Sequence, residues 1–225
     1  MEGLTVQTLD LSECFRLVSL SPLAGLTSLQ TLKLSNSRGL RGDLDPLLAE
    51  LTKLQNLDVS GCWSIDADLN SLSGLIKLQN LDFSNCPALS GDLRSLAGLS
   101  SLQTLKLCNC NRLRGDLRSL EKLTKLQTLN LRWCKELSGD LRSLAGLSSL
   151  QSLDLCGCEE LSDDLRSLAQ LTKLQSLDLS GCEDLIGAPF PDPARQTDLS
   201  LLAGLTSLQN LNLSSCSLTR RLKSV

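Results

Sequence analysis

The side chains with the most chemical potential in this sequence return at a fixed interval. Cysteine stands at Cys14, Cys62, Cys86, Cys110, Cys134, Cys158, Cys182 and Cys216, with Ser37 filling the one gap in the series. Thiols in such a row could hold a metal or pair as disulfides. The interval of 24 residues that dominates the series lacks the close C-x-x-C pairs that zinc needs. The alternative is a small buried hydrophobe whose weak S–H caps backbone groups where the chain turns. The other two, Cys108 and Cys156, form C-x-C pairs with Cys110 and Cys158. One member of each pair is expected to face the core and the other the solvent. So many retained thiols point to a reducing, cytoplasmic compartment.

Aspartate also recurs, in the segment "GDL" at Asp43, Asp92, Asp116, Asp140 and Asp164, and as "ADL" at Asp68. An acidic ladder could bind calcium. The competing reading makes each Asp the N-cap of a short helical turn, accepting from its orphan N–H groups. Arg94, Arg118, Arg142 and Arg166 follow two residues later and balance the charge. Two further acidic pairs, Asp58/Asp82 and Asp154/Asp178, sit 24 residues apart. With a metal, Asp154 and Asp178 could serve a hydrolase. The chain has no histidine, so the commonest general base and metal ligand is missing. A non-enzyme without metal or cofactor is expected.

What must position these residues is a repeated element. The pair "LQ" recurs at Leu29, Leu54, Leu78, Leu102, Leu126, Leu150, Leu174 and Leu208, and a degenerate copy starts at Val6. A fixed period of this size signals a solenoid. Within Leu102–Lys125, Leu105 and Leu107 are two apart, which places both on one side of a short strand, about Gln103–Cys108. Leu117, Leu120 and Leu123 are three apart, as in one turn of α-helix or a 3₁₀ segment. No unit buries its leucines alone, so neighbours must stack. Aromatic residues are 2% of the 225-residue chain, and leucine fills the interior instead. The Gln after the first Leu, from Gln7 to Gln209, is expected to form an amide ladder along the sheet.

The segment "LQTLKLCNCNRL" resembles the leucine-rich repeat signature, L-x-x-L-x-L-x-x-N/C followed by a further Leu. The "LSGDL" half is similar to the plant-type repeat, with Leu in place of Ile and no following Pro. The distance from Cys to the next Leu is closer to the cysteine-containing subclass. The resemblance implies an α/β fold. Its form is a right-handed solenoid, or horseshoe, with a parallel β-sheet on the concave face and short helical or 3₁₀ segments on the convex face. A single domain over 1–225 is expected, of about nine repeats starting near 6, 29, 54, 78, 102, 126, 150, 174 and 208. A loop is inserted at 187–198, where three prolines, Phe190 and Arg195 stretch the last repeat.

If constancy between repeats marks scaffold, variation marks recognition. The outward strand positions read Asp10, Lys33, Asp58, Asp82, Lys106, Asn130, Asp154, Asp178 and Asn212. Like charges on adjacent strands are destabilising unless solvent or a cationic partner relieves them. Arg132–Trp133 stands where neighbours have "SN", "SG", "CN" and "CG", and Trp and Arg are enriched in binding hot spots. Trp63 is a second aromatic out of pattern. The candidate partner-binding residues are Lys33, Trp63, Lys106, Arg132, Trp133, Asp154, Asp178 and Phe190. The cysteine series with Asp92, Asp116, Asp140 and Asp164 forms a structural ladder.

The expected function is a non-catalytic scaffold that binds a protein or peptide across the concave face. The alternative is a structural or oligomerising module that associates through uncapped ends, where Leu208, Leu211 and Leu213 lie. Net charge is −3, and apart from "TRRLK" near the C-terminus no basic run appears, so nucleic acid is not an expected partner. No apolar run approaches a membrane span.

Overall fold

The computed structural model describes residues 5–162, 165–182 and 202–216. Nine short strands, one per coil, form a single sheet: Thr8–Asp10, Thr31–Lys33, Asn56–Asp58, Asn80–Asp82, Thr104–Lys106, Thr128–Asn130, Ser152–Asp154, Ser176–Asp178 and Asn210–Asn212. All pairings are parallel and run in chain order. We number the coils one to nine accordingly. Each strand is three residues long because only the middle Leu must point inward. Register is one to one throughout, as in Leu105 opposite Leu129 and Lys106 opposite Asn130. A repeat of constant length cannot pair otherwise without turning its leucines out.

The return path differs from a bare helical turn. The "LSGDL"-type segments are extended and pair into a second, six-stranded parallel sheet. It comprises Gly42–Asp43, Ile65–Asp68, Leu89–Asp92, Arg112–Asp116, Leu137–Asp140 and Leu161–Ser162. Sequence spacing missed it because the segment carries only one inward Leu before the glycine. The glycine is what allows neighbouring coils to close up. Gly139 has φ +113°, and a Cβ there would lie 2.6 Å from the Asp116 carboxylate. After it come 3₁₀ turns such as Leu117–Leu120, and in coil two an α-helix, Asp45–Glu50. Asp68, Asp92, Asp116 and Asp140 each cap the turn that follows, accepting from the N–H two residues on. Arg94 returns to Asp92 at 2.9 Å and Arg142 to Asp140 at 3.6 Å. Asp164 and the loop at 187–198 lie outside the described residues.

The interior is leucine. In coil five, Leu102, Leu105, Leu107, Leu113, Leu117, Leu120 and Leu123 are all fully buried. Each contributes about 1.5–3 kcal/mol by leaving water. Among the described residues Phe83 is the one aromatic in this interior. At the end of the described array Leu211 is exposed.

The cysteines form a ladder of S–H donors. Cys110 Sγ donates to the Phe83 carbonyl at 3.1 Å, Cys134 to Leu107 at 3.0 Å and Cys158 to Leu131 at 3.1 Å, each in the preceding coil. The Leu107 carbonyl also accepts from the Cys110 N–H, so both its lone pairs are used. Ser37 does the same work with its hydroxyl, donating to Leu11 at 2.8 Å. All ten cysteines are free thiols. The Gln ladder is a correction. It runs through the backbone, with the Gln79 carbonyl accepting from the N–H groups of Gln103 and Thr104. Side-chain amides stack one residue further on, where Asn80 donates to Asn56 and Asn56 to Thr31.

Two outcomes follow for stability. Cys134→Ala removes one buried donor and should cost about 1 kcal/mol in urea unfolding. Cys134→Ser, which copies Ser37, should cost less; equal losses in the two variants would show that the S–H bond contributes nothing. Alkali should act on the whole ladder. Burial raises the Cys86, Cys134 and Cys182 thiols from 9.0 to about 12, and drives Cys110 and Cys158 upward as well. Between those limits the folded state keeps protons that the unfolded state has lost. Stability from this source is therefore whole below about pH 9 and lost progressively toward pH 12. A melting midpoint that stays level from about pH 8 to about pH 11 would contradict it.

Candidate functional site

The concave sheet presents three outward rows. The first carries Thr, Asn or Ser, from Thr8 to Asn210. The second is the charged row from Asp10 to Asn212, and the third lies just past the strands, from Ser12 through Cys108, Arg132 and Cys156 to Ser214. Long side chains break this small polar surface at Lys33, Lys106 and Arg132.

The second row has a structural task that sequence reasoning missed. Its Asp and Asn side chains accept from the N–H two residues on: Asp58 from Ser60, Asp82 from Ser84, Asn130 from Arg132, Asp154 from Cys156 and Asp178 from Ser180. These side chains close the chain where it leaves the sheet, as Asx turns do. The signal was present in the restriction of this row to Asp and Asn wherever it is not Lys.

Burial comes first among the influences on Asp154 and raises its pKa, and neighbouring Asp178 adds to the effect. The Cys156 amide and Arg132 offset part of it. Burial acts the same way on Asp178, but the Ser180 hydroxyl and amide, Asn212 and Arg132 outweigh it and hold that carboxyl below its ordinary value. Arg132 Nη1 reaches Asp178 across the intervening coil at 3.9 Å. Lys106 lies 3.6 Å from Asp82 and Lys33 lies 3.8 Å from Asp10. Among the described residues no group of three or more Cys, Asp or Glu is arranged to hold a metal ion.

Trp133 occupies an unusual backbone position. Every coil places one residue in the left-handed region just before its core cysteine or, in coil two, Ser37: Glu13, Asn36, Gly61, Asn85, Asn109, Trp133, Gly157, Gly181 and Ser215. Glycine and asparagine suit this conformation; a bulky indole does not. At Trp133 φ is +61°. The ring lies over Gly157 of the next coil, where a Cβ would come within 2.5 Å of Cε3. The Lys135 ammonium is 5.6 Å and the Arg132 guanidinium 5.9 Å from its centroid. Lys135 is itself held by Glu159 at 2.7 Å. Trp133 stays 38% exposed, so the arrangement is an aromatic face on the rim, fixed by two paired cations.

Lys106, Arg132, Trp133, Asp154 and Asp178 therefore come together on coils five to eight. Lys33 sits four strands from the Arg132 coil. Trp63 lies on the rim of coil three, 56% exposed, with Arg38 stacked 4.9 Å from its ring. Phe190 lies outside the described residues. The C-x-C expectation needs correction at Cys156. Its thiol is in the outward row yet only 6% exposed, while Cys108 is half-buried. Burial, with Asp154 and Asp82 nearby, raises the Cys108 thiol above its ordinary pKa despite Arg132. It is not an activated nucleophile.

The ring's seat can be probed in a Trp63→Phe background. Gly157→Ala puts a methyl group into the ring and should shift Trp133 fluorescence to longer wavelength, at a cost of about 1–2 kcal/mol for the left-handed alanine. Unchanged emission would mean that the indole does not rest on Gly157.

A family model described as Zer-1-like leucine-rich repeats matches residues 117–224. No curated protein sequence matches the chain. Among solved structures it is similar to the ectodomain of the plant membrane receptor kinase GASSHO1/SCHENGEN3 from Arabidopsis thaliana, in complex with CASPARIAN STRIP INTEGRITY FACTOR 2. The TM-score is 0.71 at 23% identity, covering 94% of this chain and 24% of that one. It is also similar to internalin C2 of Listeria monocytogenes, with a TM-score of 0.67 at 26% identity over 93% of this chain and 81% of that one. The Arabidopsis receptor kinase HAESA ectodomain, in complex with an IDA peptide hormone ligand, gives 0.68 at 22% identity over 92% and 34%. The chain thus spans about a quarter of the first of these receptors and about a third of the other, and the likeness to both is one of fold. Stacked leucine coils, a parallel sheet with one strand per coil and the repeat match over 117–224 give the chain a leucine-rich repeat fold.

Proposed function

We propose that the chain is a non-catalytic recognition scaffold that binds a protein or peptide across its concave sheet, centred on Arg132 and Trp133. The observation that carries this reading is the indole held in a left-handed conformation. Such strain persists only where something else selects it, and it gathers at ligand clamps. A Trp beside two cations, with Lys106, Asp154 and Asp178 on neighbouring strands, has the composition of a binding hot spot. The complex of the HAESA ectodomain, a protein of similar fold, with a peptide hormone ligand lends support. Metal-dependent hydrolysis is disfavoured, because Asp154 and Asp178 are engaged as turn-closing acceptors and, among the described residues, no third ligand stands beside them. A reducing, cytoplasmic setting suits a ladder that works only as S–H.

The test separates binding from stability. Trp133→Asn relieves the left-handed indole and should leave the protein as stable or up to about 1–2 kcal/mol more so. Peptides enriched by display on the native protein should lose about tenfold or more in affinity for Trp133→Asn and for Arg132→Ala. If enriched peptides bind both variants as they bind the native protein, the site is elsewhere.

A further inference from the structure

The charged row reads as a spaced pattern once its pairing is taken into account. In each acidic pair one carboxylate makes an ion pair within the protein and the other makes none among the described residues. Asp82 has Lys106 and Asp178 has Arg132. Asp58 and Asp154 make no ion pair among the described residues, and each spends one oxygen on the N–H two residues on. Asp58 is on the third strand, Lys106 on the fifth and Asp154 on the seventh. Carboxylate, ammonium and carboxylate therefore alternate at every second strand of the row, with the Lys106 ammonium also shared by Asp82. Neighbouring strands are about 4.8 Å apart, so the charges are spaced by about 9.6 Å.

A polyproline II segment repeats its face every three residues and rises about 9.3 Å in doing so. A β-strand cannot match this, since its residue i+3 points to the opposite side. An α-helix is about 10–12 Å across with side chains, as wide as the roughly 10 Å trough that three-residue strands leave. We propose that the concave face selects a polyproline II peptide carrying a basic, an acidic and a basic residue at i, i+3 and i+6, placed on Asp58, Lys106 and Asp154. The proposal rests on the concave-face reading above and names the partner's chemistry. The small Thr, Asn and Ser side chains between the charges let the peptide backbone approach, and the Trp133 face at the rim beside the fifth to seventh strands packs against its prolines.

The experiment uses fluorescein-labelled, proline-rich peptides and anisotropy with the full chain. One peptide has Lys, Glu and Lys at i, i+3 and i+6. A second has Glu, Lys and Glu at those positions, and a third has Lys, Glu and Lys at i, i+2 and i+4. The first should bind about tenfold or more tighter than the other two at low salt, with the margin shrinking as salt rises. Lys106→Glu should weaken the first peptide and favour one with Lys at all three positions. Affinities within about twofold of one another, or an order that Lys106→Glu leaves unchanged, overturn the proposal. Display peptides that require Trp133 but lack the three-residue charge spacing would overturn it while leaving the concave-face reading intact. A failure to enrich any Trp133-dependent peptide removes both.

Discussion

The structure depends on one constraint: each coil must meet the next in the same register. Leu105, Leu129 and Leu153 are buried only because each lies opposite its equivalent in the neighbouring strand. The same register brings a cysteine thiol under the carbonyl of the coil before it and a Gln carbonyl beside the N–H groups of the coil after it. A single slip would expose the leucines and leave buried carbonyls short of donors. Cooperativity therefore resides between coils, and any one coil is too thin to hold itself.

Register also creates the recognition surface. Side chains 24 residues apart become neighbours about 4.8 Å apart, so a substitution in one copy appears as a step along a row. The two copies of "LSGDLRSLAGLSSLQ", at 89–103 and 137–151, keep the return path uniform. Variation is left to the strands, where Lys106, Asn130 and Asp154 stand side by side. Asx closure limits even that freedom, because Asp or Asn at the second row satisfies the N–H two residues on. Where Lys33 and Lys106 replace it, the chain gives up that acceptor for a cation.

Trp133 shows the opposite balance. Its neighbours use asparagine or glycine for the left-handed turn, and Gly157 leaves room for its ring. A bulky side chain kept at a position that disfavours it, and fixed between Arg132 and Lys135, contributes little to the coil that carries it. Its contribution is an aromatic face at the rim of a sheet otherwise lined with small polar groups.

The sequence by itself determined the repeat, its period, the inward leucines, the buried thiols and the capping aspartates. Each of these is a local requirement that recurs in every copy: two-residue spacing for a strand, three for a tight turn, a short acceptor before it. It also marked Arg132 and Trp133 as departures from pattern. Only the tertiary structure decided what lies between coils. The second sheet, the passage of the glutamine ladder through backbone rather than side-chain amides, the burial of Cys156 and the seating of Trp133 on Gly157 all depend on distances between residues 24 apart in the chain. Which aspartates make ion pairs among the described residues was decided there too, because Arg132 reaches past its nearest neighbour to Asp178. Local spacing carries no information on such reach; it follows from how closely the leucine interior draws the coils together.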